Sequence, residues 1–370
     1  MNFLLIYEAN FIQHPWYYRR IFCTVPSGSV EASAAPSPKG ETAMTHPNPA
    51  PRYCFAVIGG DLRMTYLSRR LCEEGHAVRV LGCGQDCLPL REAIRPPRLC
   101  STLQAAADGA HALILPLPVS RDGSSIHCPR DPSCRIPLSE IGELLQREPR
   151  LLLYGGRIPE ALTTLTADPR VTDYYEDETL QLRNAYITAE AALMTAMEMT
   201  DTVLSGTQAA VLGYGRIGKR LSRLLRAVGA EVTVCARRVE SLWEAASEGC
   251  RTLLIDPSAP MQGLSPLCGR TEILFNTVPA PILTRELLSG LGEHVLLLDL
   301  ASSPFGVTDT DAKEAAEQGW IRYLRAPSLP GSYAPREAGH AIAECILRDL
   351  SVRSLAPKAE PLAKEGGSTP

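Results

Sequence analysis

With 370 residues, 45% of them hydrophobic, the chain is long enough for two or three domains with their own cores, which excludes wholesale disorder. A net charge of -4 supplies no basic field for nucleic acid and leaves small molecules as the expected ligands. No apolar run reaches the roughly 20 residues of a bilayer span, so a soluble protein without membrane association is expected.

Residues 1–52 read as a disordered extension. Their apolar start lacks the leading positive charge of a secretion signal, and "PSGSVEASAAPSPKGETAMTHPNPAP" is rich in Pro, Ser and Ala. Lys39-Gly40-Glu41 resembles a translated ribosome-binding site, which would put the natural start at Met44. From Cys54 short apolar runs alternate with amphipathic stretches, the pattern of βα units on a parallel sheet. "CFAVIGG", "HAVRVLGCG", "HALILPLP" and "RLLLYGG" predict strands, and "DLRMTYLSRRLCEEG" and "LSEIGELLQRE" predict helices. These form a first α/β domain over residues 53–175, expected to hold the substrate. The twelve cysteines are scattered through this pattern without paired zinc spacing, so reduced thiols and no metal are expected.

A long helix connects the domains over residues 176–205, with Glu176, Asp177 and Glu178 at its positive end. Strands "AAVLG", "EVTVCA", "TLLI", "EILFNTV", "HVLLLDL" and "WIRYL" then make a second α/β domain over residues 206–334. A final helix over residues 335–354 has Pro335 in its first turn and packs back, before a disordered tail over residues 355–370. The expected fold is α/β: two Rossmann-like, doubly wound parallel-sheet domains joined by long helices. A ligand cleft is expected between them, at the carboxyl ends of the strands.

Within the second domain, "VLGYGRIGKRL" places Gly213-x-Gly215-x-x-Gly218 between a strand and a helix. That context turns a weak motif into a dinucleotide fingerprint. Gly213 serves the tight turn, Gly215 lets the amides of Tyr214 to Ile217 approach a pyrophosphate, and Gly218 serves close helix packing. The second strand ends in Arg237-Arg238, where NAD sites carry a carboxylate. Guanidiniums there pair with a 2'-phosphate, which favours NADP over NAD, with Arg216 reinforcing the pocket. The alternative is that both arginines are an ordinary solvated edge.

Taken together, "FAVIGGDLR", "LRNAYITAEAALMTAME", "FNTVPAPILTRELL", "LLLDLASSPFGV" and "APSLPGSYAPREAGHAIAECI" give the chain a resemblance to the family of dipicolinate synthase A-subunits, from about Tyr53 to Asp349. The two-domain plan also resembles the formate/glycerate dehydrogenases. The resemblance implies a bacterial, sporulation-associated oxidoreductase of the mother-cell cytoplasm. It would act with a flavoprotein-like B subunit and form pyridine-2,6-dicarboxylate from a dihydrodipicolinate-type precursor. Homo-oligomerisation is left open. Two departures stand out: Ala191 where the family reads "TAEGA", and Phe305 where it reads "ASxPGG", a turn in which a positive φ would strain phenylalanine.

Hydride removal from a cyclic imine dicarboxylate needs groups that bind two carboxylates and relay a proton. Gly60, Asp61 and Arg63 open the first helix and suit a carboxylate, unless Arg63 is a surface residue with Asp61 as its N-cap. Asn184 and Thr188 share one face of the connecting helix and could meet a carboxylate or ring nitrogen, while Glu190 is a candidate base. Asn276, Thr277, Val278 and Pro279 are expected at the nicotinamide ribose, Asp299 and Ser302 near its ring, and Ser328 and Gly331 at the same cleft. His340 is a candidate proton relay. The competing readings are a 2-hydroxyacid dehydrogenase, which wants a catalytic His and a second-domain Arg, and a non-catalytic NADP-binding regulatory partner.

Overall fold

The computed structural model describes residues 53–84, 96–162, 167–256 and 258–355. The expected N-terminal extension with its Met44 start and nearly all of the expected tail lie outside the described residues. Among the described residues no helix is long and apolar enough to cross a membrane.

Two six-stranded parallel sheets carry the chain. The first has strands β1 (Cys54–Ile58), β2 (Ala77–Leu81), β3 (Arg98–Leu99), β4 (Ala112–Ile114), β5 (Leu152–Gly155) and β6 (Val171–Asp173) in the order β3-β2-β1-β4-β5-β6. The second has β7 (Gln208–Leu212), β8 (Glu231–Ala236), β9 (Arg251–Leu254), β10 (Ile273–Asn276), β11 (Leu296–Asp299) and β12 (Arg322–Arg325) in the order β12-β11-β10-β7-β8-β9. Each reverses direction of travel beside its first strand, so each has a topological switch point, at β1/β4 and at β7/β10. The expected two-Rossmann fold is therefore what the chain adopts. The sequence reading lacked β3 and β6, edge strands of two and three residues that never cross a buried layer.

Both faces of each sheet are covered, which is why the strands read as continuous apolar runs. Alternate residues of β1 feed opposite cores. Phe55 and Val57 pack with helix α1 (Leu62–Glu73), whereas Ala56 and Ile58 pack with α2 (Leu103–Ala107) and α3 (Leu138–Arg147). In β7, Ala209 and Val211 face one core and Ala210 and Leu212 the other.

The connecting helix α4 (Glu178–Met199) belongs to both halves. Leu180 is in the core of the first sheet, and Ala189, Ala191, Ala192 and Ala196 are in that of the second. Its small residues let α5 (Arg216–Ala227) lie close. The helix starts two residues later than the acidic run implies, because Tyr174–Glu176 is a short 3-10 turn and Asp177 caps the Leu180 amide at 2.8 Å. Helices α6 (Val239–Ser247), α7 (Pro260–Leu264), α8 (Arg285–Leu291) and α9 (Asp309–Glu317) complete the second layer, and the five-residue α10 (Leu329–Tyr333) precedes the last helix.

That last helix, α11 (Pro335–Leu355), returns to the first sheet and lies along α1. Their closest approach is at Gly339, where a Cβ would stand 2.3 Å from the Arg63 carbonyl oxygen. Gly339→Ala is expected to lower stability by about 1–3 kcal/mol, because overpacking outweighs the gain in helix propensity. Gly142→Ala in α3, where the new methyl meets nothing within 4 Å, should raise stability by up to about 1 kcal/mol. Urea unfolding followed by circular dichroism checks both signs.

Candidate functional site

A cleft of about 740 Å³ opens between the carboxyl ends of the two sheets. Its floor on one side is the glycine turn. Gly213 has φ +90°, and a Cβ there would meet the Thr277 hydroxyl at 2.5 Å. A Cβ at Gly218 would stand 2.1 Å from the Gly213 carbonyl oxygen, so this residue closes the turn and does not line the cleft. Gly215 differs from both: its φ is -85° and nothing lies within 4 Å of a Cβ position. Nothing in the fold requires glycine at 215. The space above it, facing the start of α5 with its unbonded amides, fits a pyrophosphate.

Tyr214, Arg216 and Ile217 also line the cleft, as do Arg237 and Arg238 at the end of β8. Arg237 and Arg238 are exposed, and no acidic partner is recorded for either among the described residues. Arg216 lines the cleft as expected, and its guanidinium also pairs with Glu178 at the start of the connecting helix, at 2.9 Å for Nε. This ion pair ties α5 to α4.

From β10, Thr277, Val278 and Pro279 line the cleft as expected, with the Thr277 hydroxyl donating to the Leu212 carbonyl at 2.7 Å. Asn276 and Asp299 do not, and this is a correction. Both are fully buried at paired strand ends. The Asn276 amide donates to Asp299 at 2.8 Å and to the Val278 carbonyl at 3.0 Å. Asp299 also accepts from the amides of Ala301 at 3.2 Å and Gly306 at 2.9 Å. The pair is a scaffold that folds the following turn and leaves Ser302 facing the cleft. Within that turn Phe305 does have a positive φ, +65°, with the Arg325 guanidinium 4.1 Å from its ring centre.

The first sheet contributes Arg63. Asp61 is the N-cap of α1, as in the alternative reading, yet Arg63 is no surface residue, being only 6% exposed. Asp61 accepts from its Nε at 2.9 Å and its Nη2 at 2.8 Å, and the Leu117 carbonyl holds the same Nη2. Burial alone would raise the Asp61 carboxyl, but the bound guanidinium keeps it below the usual carboxylate range. Gly60 and Gly331 stand behind this pair and do not line the cleft. Gly60 has φ +90°, and a Cβ at Gly331 would lie 2.8 Å from Asp61 Oδ2. Ser328, in the left-handed conformation at φ +62°, does reach the cleft.

On α4, Asn184 and Thr188 line the cleft together. The Thr188 hydroxyl donates to the Asn184 backbone carbonyl at 2.7 Å, and both residues are buried at the cleft wall. Glu190 and His340, the two proton-transfer candidates, fall elsewhere. Glu190 is exposed and paired with Arg220 at 3.3 Å, on the α5 side of the helix. His340 sits on α11 between charged neighbours of α1 and its own helix. Burial, with Arg70 and Arg336 nearby, holds its imidazole below the usual value, hence neutral at pH 7.

Sequence reasoning missed Arg157, Tyr175, Gln181 and the Leu117-Pro118 wall. Arg157 follows β5 directly, and the rule that ligands bind beyond strand ends was the signal that could have found it. Five arginines thus line the cleft, without any aspartate, glutamate or histidine among its described lining residues. Two are already neutralised, Arg63 by Asp61 and Arg216 by Glu178. The remaining positive charge calls for a polyanionic ligand.

Gly215→Val separates ligand from fold. Thermal unfolding should stay within about 1 kcal/mol of the parent, the cost of losing a glycine N-cap where the new side chain meets no neighbour. Nucleotide affinity, read by calorimetric titration, should fall at least 30-fold, about 2 kcal/mol. A loss of stability well beyond this, with nucleotide affinity unchanged, would show that the site is merely a packed turn.

The family model of the N-terminal domain of dipicolinate synthase A-subunits matches residues 54–174. The dipicolinate synthase A-subunit of Bacillus subtilis strain 168 is 30% identical over 300 residues, covering 80% of this chain and 95% of that protein. The crystal structure of the Bacillus halodurans A-subunit superposes with a TM-score of 0.67 at 27% identity, covering 84% of this chain and 98% of that one. For the crystal structure of the Bacillus subtilis protein the values are 0.68, 27%, 82% and 97%. With its two Rossmann sheets, its glycine turn and this similarity along most of its length, the chain belongs to the dipicolinate synthase A-subunit family.

Proposed function

We propose that the chain is an NADP-dependent dehydrogenase subunit that forms dipicolinate from dihydrodipicolinate. The observation that carries this reading is the charge of the cleft: guanidiniums at both ends, no carboxylate among its described lining residues, and a glycine turn with open space between them. The name of its relatives supplies the product; the cleft supplies reasons why a phosphorylated dinucleotide and a dicarboxylate fit.

Arg237 and Arg238 would hold a 2'-phosphate through charge-assisted hydrogen bonds, where a carboxylate would repel it. The start of α5 would hold the pyrophosphate. Thr277, Val278, Pro279 and Ser302, at the ends of β10 and β11, would frame the nicotinamide ribose and ring. When bound, the nicotinamide supplies the hydride acceptor. Arg63, fixed by Asp61 and Leu117, would take one substrate carboxylate, while the Asn184 amide and Ser328 would orient the ring. The reaction balances as dihydrodipicolinate plus NADP+ giving dipicolinate, NADPH and a proton, and aromatisation supplies the driving force. With Glu190 and His340 outside the cleft, the proton passes to solvent through its open mouth.

The 2-hydroxyacid dehydrogenase reading asks for an imidazole at the substrate, and none is among the described lining residues. A role with the B subunit, in sporulating cells and in the cytoplasm, follows from the family likeness and is part of the same proposal.

In an assay with dihydrodipicolinate generated in situ, the full chain and NADP+, dipicolinate absorbance should rise in step with NADPH, alone or with the B partner. Formation at the protein-free rate would contradict the proposal. Replacing Arg237 and Arg238 together by Ala should weaken NADP binding about 10- to 100-fold, with NAD binding changed less than about threefold. Equal losses for both nucleotides would move the phosphate contact elsewhere.

A further inference from the structure

Arg157 is held in a conformation that its residue type avoids. Its φ is +52°, in the left-handed region, at the bend that follows β5. What holds it there is Asp173, at the end of the neighbouring strand β6. That carboxylate accepts from the amides of Arg157 at 3.1 Å, Ile158 at 2.9 Å and Tyr175 at 2.9 Å. The guanidinium is then laid over the Tyr175 ring, 4.7 Å from its centre. From there Nη2 crosses the cleft to donate to the Ser302 hydroxyl of the opposite half at 3.3 Å.

The partners matter as much as the strain. Arg63 and Arg216 line the same cleft but each has a carboxylate. Among the described residues the Arg157 guanidinium is recorded against a neutral hydroxyl and a ring and in no ion pair, the Asp173 carboxylate meeting only its backbone amide. It is also remote from the proposed phosphate site. Arg237 and Arg238 end β8, whereas Ser302 follows β11, and the order β11-β10-β7-β8 separates these strands by three spacings, about 14 Å. One phosphate does not serve both ends, so Arg157 faces a second anion at the reacting end of the cleft.

We propose that Arg157 binds the second carboxylate of the ring substrate, opposite Arg63, and thereby sets the requirement for a 2,6-dicarboxylate over a monocarboxylate. This rests on the preceding functional reading. Arg157 exchanges the Ser302 hydroxyl for the carboxylate, which leaves Ser302 to the nicotinamide side. The backbone strain, compensated by Asp173, orients the guanidinium before substrate arrives.

The test uses the full chain with saturating NADPH in metal-free buffer, titrated calorimetrically with dipicolinate and with picolinate, which lacks the second carboxylate. The parent should bind dipicolinate the more tightly. Arg157→Ala should lose about 30- to 100-fold toward dipicolinate and less than about threefold toward picolinate, so that the preference disappears. Arg157→Lys should keep part of it, and NADPH affinity should be unchanged in both, which reports an intact fold. Arg157→Gln serves in the same way if the alanine variant does not fold. A preference that survives in Arg157→Ala, or equal losses toward both ligands, would overturn the assignment of Arg157 and leave the functional reading standing. A parent that binds no dipicolinate would overturn both.

Discussion

The molecule is organised around uncompensated positive charge in a cleft between two sheets. Carboxylates elsewhere on the surface pair with many of the arginines, among them Arg170 and Arg353. Among the described residues the cleft lining includes five arginines and no acid, and three of those arginines lack a recorded acidic partner. Like charges in one cleft repel one another, weakly here because Arg157, Arg237 and Arg238 are exposed, so the arrangement carries a small cost in stability unless an anion joins it. Catalytic surfaces often carry such a cost, and the strained Arg157 and Ser328 fall within the same cleft.

The same fold is used twice with different chemistry at its first turn. Both sheets have the Rossmann order, and both begin with a strand, a glycine-rich bend and a helix. After β7 the bend leaves open space at Gly215 and unpaired amides at the start of α5. After β1 the equivalent place is filled: Asp61 caps the helix and clamps Arg63, with Gly331 of the α10 turn pressed against them. One turn is shaped to receive an anion on backbone amides, the other presents a buried guanidinium. The connecting helix, with its ends in different cores, sets the distance between them.

Strand and helix positions were legible because parallel strands buried on both faces are unmistakable apolar runs, and because "GYGRIG" sits between two of them. The edge strands β3 and β6 were not, since two or three residues leave no periodicity. The site was legible where a residue's role follows from local sequence: Gly213, Gly218, Arg237 and Arg238 take positions fixed by one βαβ unit. It was illegible where the role depends on what the other half brings. Asn276 and Asp299 end adjacent strands and look alike to Thr277 and Ser302 in sequence, but the former bond each other and the latter face the cleft. Arg216 pairs with Glu178, 38 residues away, and Arg157 reaches Ser302 across 145 residues. Glu190 and His340 had suitable chemistry on helix faces that tertiary packing turns elsewhere.

The most direct measurement is a crystal structure of the full chain soaked with NADP+ and dipicolinate together. The account predicts the 2'-phosphate between Arg237 and Arg238, the pyrophosphate over Gly215, and the pyridine ring between Arg63 and Arg157 with its carboxylates on the two guanidiniums. Dipicolinate bound away from both arginines, or a nucleotide whose ribose lies away from the end of β8, would contradict it.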